Sequence, residues 1–138
     1  MRLLVIDDAR VSRAHFAHVA HAEGHVVVAS VDRFDTAIEW AAEGAYDVAC
    51  LDGRLPGDAH GDAHTDAHAM LAARVRALCA ATPGRAVVVI AALDEVETVR
   101  VARAAGAAGG LMRPVSRSGL AAVLARLAEA SNEPADAP

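Results

Sequence analysis

Apolar residues along this chain follow two alternating patterns. Short unbroken runs recur at 2–6 (RLLVI), 25–31 (HVVVASV), 46–51 (YDVACL), 86–92 (AVVVIAA) and 109–112 (GGLM). Between them lie longer segments in which apolar residues return every three or four positions: 10–23, 33–44, 69–81, 94–106 and 116–130. The first pattern predicts strands buried on both faces, the second amphipathic helices. Within 10–23, Val11, Phe16, Val19 and Ala20 share one side; within 33–44, Phe34, Ala37, Ile38 and Ala41 do. Gly24, Gly44 and Gly106 stand where helices should stop, and Pro83 with Gly84 closes the third helix. Residues 131–138 (SNEPADAP) predict a flexible tail behind a domain spanning 1–130.

The order is five strands, each followed by a helix, which predicts an α/β fold with one parallel sheet covered on both sides. In such a sheet, functional groups collect just beyond the carboxyl ends of the strands. Asp7 and Asp8 follow the first predicted strand, Asp52 follows the third, and Arg113 with Pro114 follows the fifth. Parallel strands would bring these three carboxylates and one cation to one edge. Like charges gathered there are tolerable with a divalent cation among them, and hard oxygen ligands suit Mg2+ (or Mn2+). A carboxylate beside such an ion can accept a phosphoryl group as an aspartyl phosphate, while opposite charges stabilise the transferring oxygens. One aspartate alone would more simply cap a helix or turn. Three at strand ends, with a basic residue before proline, favour the chemistry.

At this point the chain resembles a family, the receiver domains of bacterial two-component response regulators. The resemblance spans 1–130 and rests on LLVIDD, DVACLDGRLPG and GAAGGLMRPVS. It implies a doubly wound, flavodoxin-like (βα)5 fold with a parallel five-stranded sheet in the order 2-1-3-4-5. It implies that Asp52 is the phosphoacceptor, served by a histidine kinase or phosphotransfer protein. Asp7 and Asp8, with Asp52 and the backbone carbonyl of Arg54, match the Mg2+ ligands. Pro56 matches the proline of the following loop. Arg113 falls where the family has a lysine, and Pro114 follows through a bond that is usually cis. Three departures mark the chain as atypical: Arg113 stands in place of the lysine, Ala91 in place of a threonine or serine, and Gly110 in place of an aromatic switch residue. The resemblance implies a signalling protein rather than an enzyme. Output would pass by protein–protein contact over roughly 94–130, with Ala102, Ala105, Leu120, Val123 and Leu127 among the apolar candidates, and a homodimer is open.

Composition narrows the alternatives. The 138 residues suit one domain. Hydrophobic residues make up 54%, yet 35 of them are alanine, so the core must rest on Val, Leu and Ile. Aromatic content of 3% gives little base-stacking surface, and a net charge of −5 weighs against nucleic acid and anionic membranes as partners. Cys50 and Cys79 have no CxxC spacing, which predicts two buried thiols in a reducing compartment. No apolar run is long enough for a signal peptide or a membrane span, which predicts a cytoplasmic protein. No glycine-rich phosphate cradle, Ser-His-Asp pattern or nucleotide fingerprint supports a flavodoxin-like enzyme.

The segment 57–68, GDAHGDAHTDAH, repeats a four-residue unit and spaces Asp58, Asp62 and Asp66 like His60, His64 and His68. On a helix, a histidine pair at i, i+4 can chelate one transition-metal ion, while the third histidine lies too far along the axis to join it. Gly57 and Gly61 disfavour helix there. The simpler reading is a tandem expansion of a surface loop that lengthens the turn after Asp52 or the start of the third helix. A histidine-rich, pH-sensitive lid is a further option. His15, His18, His21 and His25 fall in or just after the first helix. The leading expectation is a stand-alone phosphoacceptor. The competing ones are a phosphorylation-independent docking module and a metal-responsive module built on 57–68.

Overall fold

The computed structural model describes residues 1–56 and 66–132. Strand β1 (Arg2–Ile6) leads into helix α1 (Arg10–Ala22), β2 (Val26–Val31) into α2 (Phe34–Glu43), β3 (Val48–Asp52) into α3 (Ala67–Ala81), β4 (Ala86–Ala91) into α4 (Val96–Ala104), and β5 (Gly109–Met112) into α5 (Arg117–Asn132). Every expected element forms, with ends displaced by at most two residues. All strand pairs are parallel, and the order is β2-β1-β3-β4-β5, as the resemblance implied.

Successive strand residues point to opposite faces, and both faces are covered. Leu3 and Val5 of β1 pack with Phe16 and Val19 of α1 and with Leu120 and Val123 of α5. Leu4 and Ile6 pack with Ala37 of α2, Val75 and Leu78 of α3, and Ala102 of α4. Burying each such leucine or isoleucine stabilises the fold by about 2 kcal/mol. Ala20, Ala37, Ala41 and Ala102 are all fully buried. The alanine content therefore serves close helix-to-sheet approach, while Val, Leu and Ile fill the volume.

Val11 departs from the expected face of α1: it is 83% exposed, and the buried stripe is Phe16, Val19 and Ala20. Five residues turn a helix by about 500°, which leaves Val11 about 140° away from Phe16. The two cysteines also differ from expectation. Cys50, on β3, is fully buried, and burial pushes its thiol up to about 12. Cys79, on α3, is only half-buried, its thiol facing the Gly106 carbonyl at 3.8 Å. Asp66 caps α3, its carboxylate accepting the His68 amide at 3.0 Å. Among the described residues, no helix is long and apolar enough to cross a membrane.

Candidate functional site

The register of the sheet sets the charges against one another. β1 pairs with β3 as Leu3↔Val48, Leu4↔Ala49, Val5↔Cys50 and Ile6↔Leu51, so the next step along both chains sets Asp7 beside Asp52. Both continue the parity of Leu3 and Val5 on one strand and Val48 and Cys50 on the other, and so emerge on the same side. Further along the edge, Ala91 is the partner of Met112, and the Arg113 amide donates to the Ala91 carbonyl at 2.8 Å. The order of strands reverses direction at β1 and β3, the place where open parallel sheets form a crevice.

Asp7 and Asp52 are almost fully buried, at 1% and 5% exposed, while Asp8 faces solvent. Each of the three offers one carboxylate oxygen, and these oxygens lie within 4.8 Å of one another. Asp7 Oδ1 accepts the Ala9 amide at 2.9 Å; Oδ2 accepts the Ser12 hydroxyl at 2.5 Å. Asp52 Oδ1 accepts the Arg54 amide at 3.0 Å. Between the two carboxylates stands Arg113: a single nitrogen, Nη2, donates to Asp7 Oδ2 at 3.0 Å and sits 3.1 Å from Asp52 Oδ1. Burial pushes the Asp52 carboxyl above the usual carboxylate range, and the charge of Asp7 adds to this, while the Arg54 amide and the Arg113 guanidinium pull the other way. Burial works against the Arg113 charge, but the two carboxylates outweigh it and hold the guanidinium more firmly protonated. Such a cluster of hard oxygens, two of them already sharing one cation, fits a small divalent ion.

Most of the sequence-predicted site comes together here. Asp7, Asp8, Asp52 and Arg113 converge, and the Arg113-Pro114 bond is cis. Among the described residues, no donor reaches the Arg54 carbonyl. Ala91 ends β4 with no hydroxyl to offer. At Gly110, a Cβ would meet Val99 Cγ1 at 3.0 Å, so α4 has closed on β5 and Val99 takes up the space beside that backbone. Of the aspartates and histidines of the repeat, Asp66 and His68 fall among the described residues, and Asp66 serves as the helix cap. Asp58, His60, Asp62 and His64, the rest of the second metal set, lie outside them. His15 reaches the Val115 carbonyl through Nε2 at 2.8 Å rather than a carboxylate.

Several participants carried no signal in the sequence. Ser12 was one more polar residue on a helix, though its place one turn into the helix after Asp7 could have suggested it. Glu95 is buried in front of α4. Its Oε1 accepts the Ala92 amide at 2.8 Å, and its other oxygen pairs with the Arg54 guanidinium. Arg74 is buried within α3, donates to the Leu55 and Pro56 carbonyls at 2.5 and 2.8 Å, and stacks over Phe34. It thereby fixes the chain just after Asp52. Beside Arg113, an apolar groove of about 490 Å³ runs between α1 and the start of α5, lined by Val11, Ser12, His15, Phe16 and Pro114.

The family described as response regulator receiver domain matches residues 3–125. Among solved structures, the chain is similar to the signal receiver domain of NarL from Mycobacterium tuberculosis, at 29% identity and a TM-score of 0.72 over 96% of this chain and 97% of that one. It is similar to NtrX from Brucella abortus at 26% identity and a TM-score of 0.74, covering 94% of this chain and 28% of that longer one. The signal receiver domain of a modulated diguanylate cyclase from Desulfovibrio desulfuricans shares the fold, with 22% identity and a TM-score of 0.71 over 96% of this chain and 98% of that chain. No curated protein matches the chain.

Proposed function

The chain belongs to the response regulator receiver domain family, and from that premise we propose that it accepts a phosphoryl group on Asp52 and signals through protein contact. Receiver domains interact with histidine kinases or phosphotransfer proteins and bind Mg2+ at an acidic pocket. The observation that carries the proposal is the pair of buried carboxylates, Asp7 and Asp52, bridged by one nitrogen of Arg113 with Asp8 alongside. A fold gains nothing from burying two like charges side by side. Their retention is explained by chemistry that uses them.

The roles follow from the contacts. Asp52 Oδ1 is held by the Arg54 amide and by Arg113, which leaves Oδ2 without a hydrogen bond from a described residue. Oδ2 is then the atom that attacks phosphorus. The new P–O bond forms as the bond to the donor breaks, and the leaving group departs with that electron pair. Asp7, Asp8, Asp52 and the Arg54 carbonyl are the residues that would hold Mg2+, which supplies positive charge against the phosphoryl oxygens. Arg113 supplies a second positive charge through a planar fork. The groove beside Arg113, with Val11 fully presented at its rim, gives a donor protein an apolar foothold next to the acceptor. With no hydroxyl at Ala91 and no side chain at Gly110, the altered charge at Asp52 has another path outward. It runs through Arg54, whose side chain pairs with Glu95 at the foot of α4.

Intact-mass spectrometry tests the proposal, after incubation of the chain with Mg2+ and acetyl phosphate. A single phosphoryl adduct on the wild type and none on Asp52→Asn is the expected result. The absent Ala91 hydroxyl and Gly110 side chain favour a second reading, a docking module that works without phosphorylation. A folded protein that stays unmodified with both the small donor and a histidine kinase would select it.

A further inference from the structure

Among the described residues, the buried polar and charged side chains are Asp7, Asp52, Arg74, Glu95 and Thr98. All five meet at the carboxyl end of the sheet. Asp7 and Asp52 belong to the acid cluster. The other three surround the four residues that follow Asp52. Gly53 runs close against α4, where a Cβ would meet Thr98 Cγ2 at 2.6 Å. The Arg54 guanidinium pairs with Glu95. Arg74, reaching from the middle of α3, donates through Nη1 to the Leu55 carbonyl at 2.5 Å and through Nη2 to the Pro56 carbonyl at 2.8 Å. The Phe34 ring, its centroid 5.3 Å from the guanidinium carbon, supports it from the side. Burying a guanidinium carries a large desolvation penalty, and neutral donors could satisfy two carbonyls with a smaller one.

The backbone hydrogen bonds show what the guanidinium holds in place. The Gly53 amide donates to the Ile90 carbonyl at 2.9 Å, the Arg54 amide to Asp52 Oδ1 at 3.0 Å, and the Leu55 amide to the Asp52 carbonyl at 3.2 Å. The Arg54 carbonyl shares one rigid peptide plane with the Leu55 amide and points the opposite way. Leu55 is fixed on both sides, at its amide by Asp52 and at its carbonyl by Arg74. The direction of the Arg54 carbonyl is fixed with it, and no donor among the described residues takes that oxygen. We propose that Arg74 is a positioning residue of the divalent-ion site. By taking the two carbonyls that follow, it holds the Arg54 peptide in one orientation and leaves the Arg54 carbonyl as the free ligand. Two donors set in one plane hold two carbonyls at a fixed spacing, which a flexible ammonium does not. Partners one step behind the ligands set ion affinity by keeping the ligands oriented. This role rests on the reading of the acid cluster as a divalent-ion site, but not on phosphoryl transfer to Asp52.

The test is isothermal titration calorimetry of the full chain with Mg2+, at a temperature where a well-dispersed amide spectrum shows each variant folded. Arg74→Met keeps much of the apolar stem and deletes both donors, and it should weaken Mg2+ binding by about tenfold. Arg74→Lys keeps the charge without the fork and should fall between the wild type and Arg74→Met. Val75→Ala is the control. Val75 is fully buried on the same helix, and its truncation loosens the core without touching either carbonyl. Its Mg2+ affinity should stay within about twofold of the wild type, as expected for an independent site. The proposal is overturned if the Arg74 variants bind Mg2+ like the wild type, or if Val75→Ala loses as much affinity as they do. Should Arg74→Met fail to fold, Arg74→Lys set against Val75→Ala decides in the same way. A folded wild type that binds no Mg2+ overturns the ion site and this role together. Wild-type binding that is indifferent to Arg74 removes this role alone.

Discussion

Replacing Arg113 by methionine isolates the electrostatics at the crevice. Methionine keeps much of the apolar stem while deleting the charge that bridges Asp7 and Asp52. The oxygens these carboxylates offer lie within 4.8 Å of each other, and two unit charges at that distance repel by about 3–4 kcal/mol at an effective dielectric of about 20. Removing one partner from a buried charge cluster typically costs about 3–5 kcal/mol. The Arg113 side chain retains 28% of its exposure, which admits water and favours the lower figure, about 3 kcal/mol. Urea unfolding at neutral pH without divalent ions should show this as a lower midpoint with an unchanged slope. In a thermal scan it corresponds to a drop of about 10 °C. The deficit should shrink in saturating Mg2+, which returns positive charge to the cluster, and also in the Arg113→Met, Asp52→Asn double variant, which removes one of the repelling charges. A deficit below about 1 kcal/mol, or one indifferent to both Mg2+ and Asp52→Asn, would refute the view that Arg113 holds two ionised carboxylates together.

Asp52 should also mark the pH dependence of stability. Burial raises its carboxyl in the folded state, so the folded chain holds this proton more tightly than the unfolded chain does. Its contribution to stability therefore falls as pH rises from the ordinary carboxylate value upward, and the stability difference between wild type and Asp52→Asn, measured by urea midpoints from about pH 3 to 6, should move against the wild type across that window. Gly110→Ala should cost about 1–2 kcal/mol, because its Cβ would meet Val99 Cγ1 at 3.0 Å, and Val99→Ala in the same chain should recover most of the loss in the same unfolding assay. Arg74→Ala should cost about 2–4 kcal/mol by stranding the Leu55 and Pro56 carbonyls. Arg74→Lys should recover only part of it, since a single ammonium cannot reproduce two donors set in a fork.

The sequence by itself determined the ten elements, their parallel stacking and the edge at which Asp7, Asp8, Asp52 and Arg113 meet. These follow from local rules: unbroken apolar runs cannot face water, amphipathic segments must cover them, and a parallel sheet sends every carboxyl end the same way. What periodicity could not supply was the identity of partners far apart along the chain. Val11 looked apolar enough to join the face of α1, yet it falls outside the buried stripe and borders a groove beside Arg113 instead. Ser12, Arg74 and Glu95 read as ordinary polar helix or turn residues. Only the packed fold set Ser12 on Asp7, Arg74 on the carbonyls after Asp52, and Glu95 against Arg54. Gly110 showed as a missing side chain, but the approach of Val99 depended on how closely α4 settles on β5. A side chain's burial pattern is written within a turn or two of its own neighbours, whereas a hydrogen bond or an ion pair between distant elements depends on register, helix rotation and rotamer together, and those are fixed only when the whole core closes.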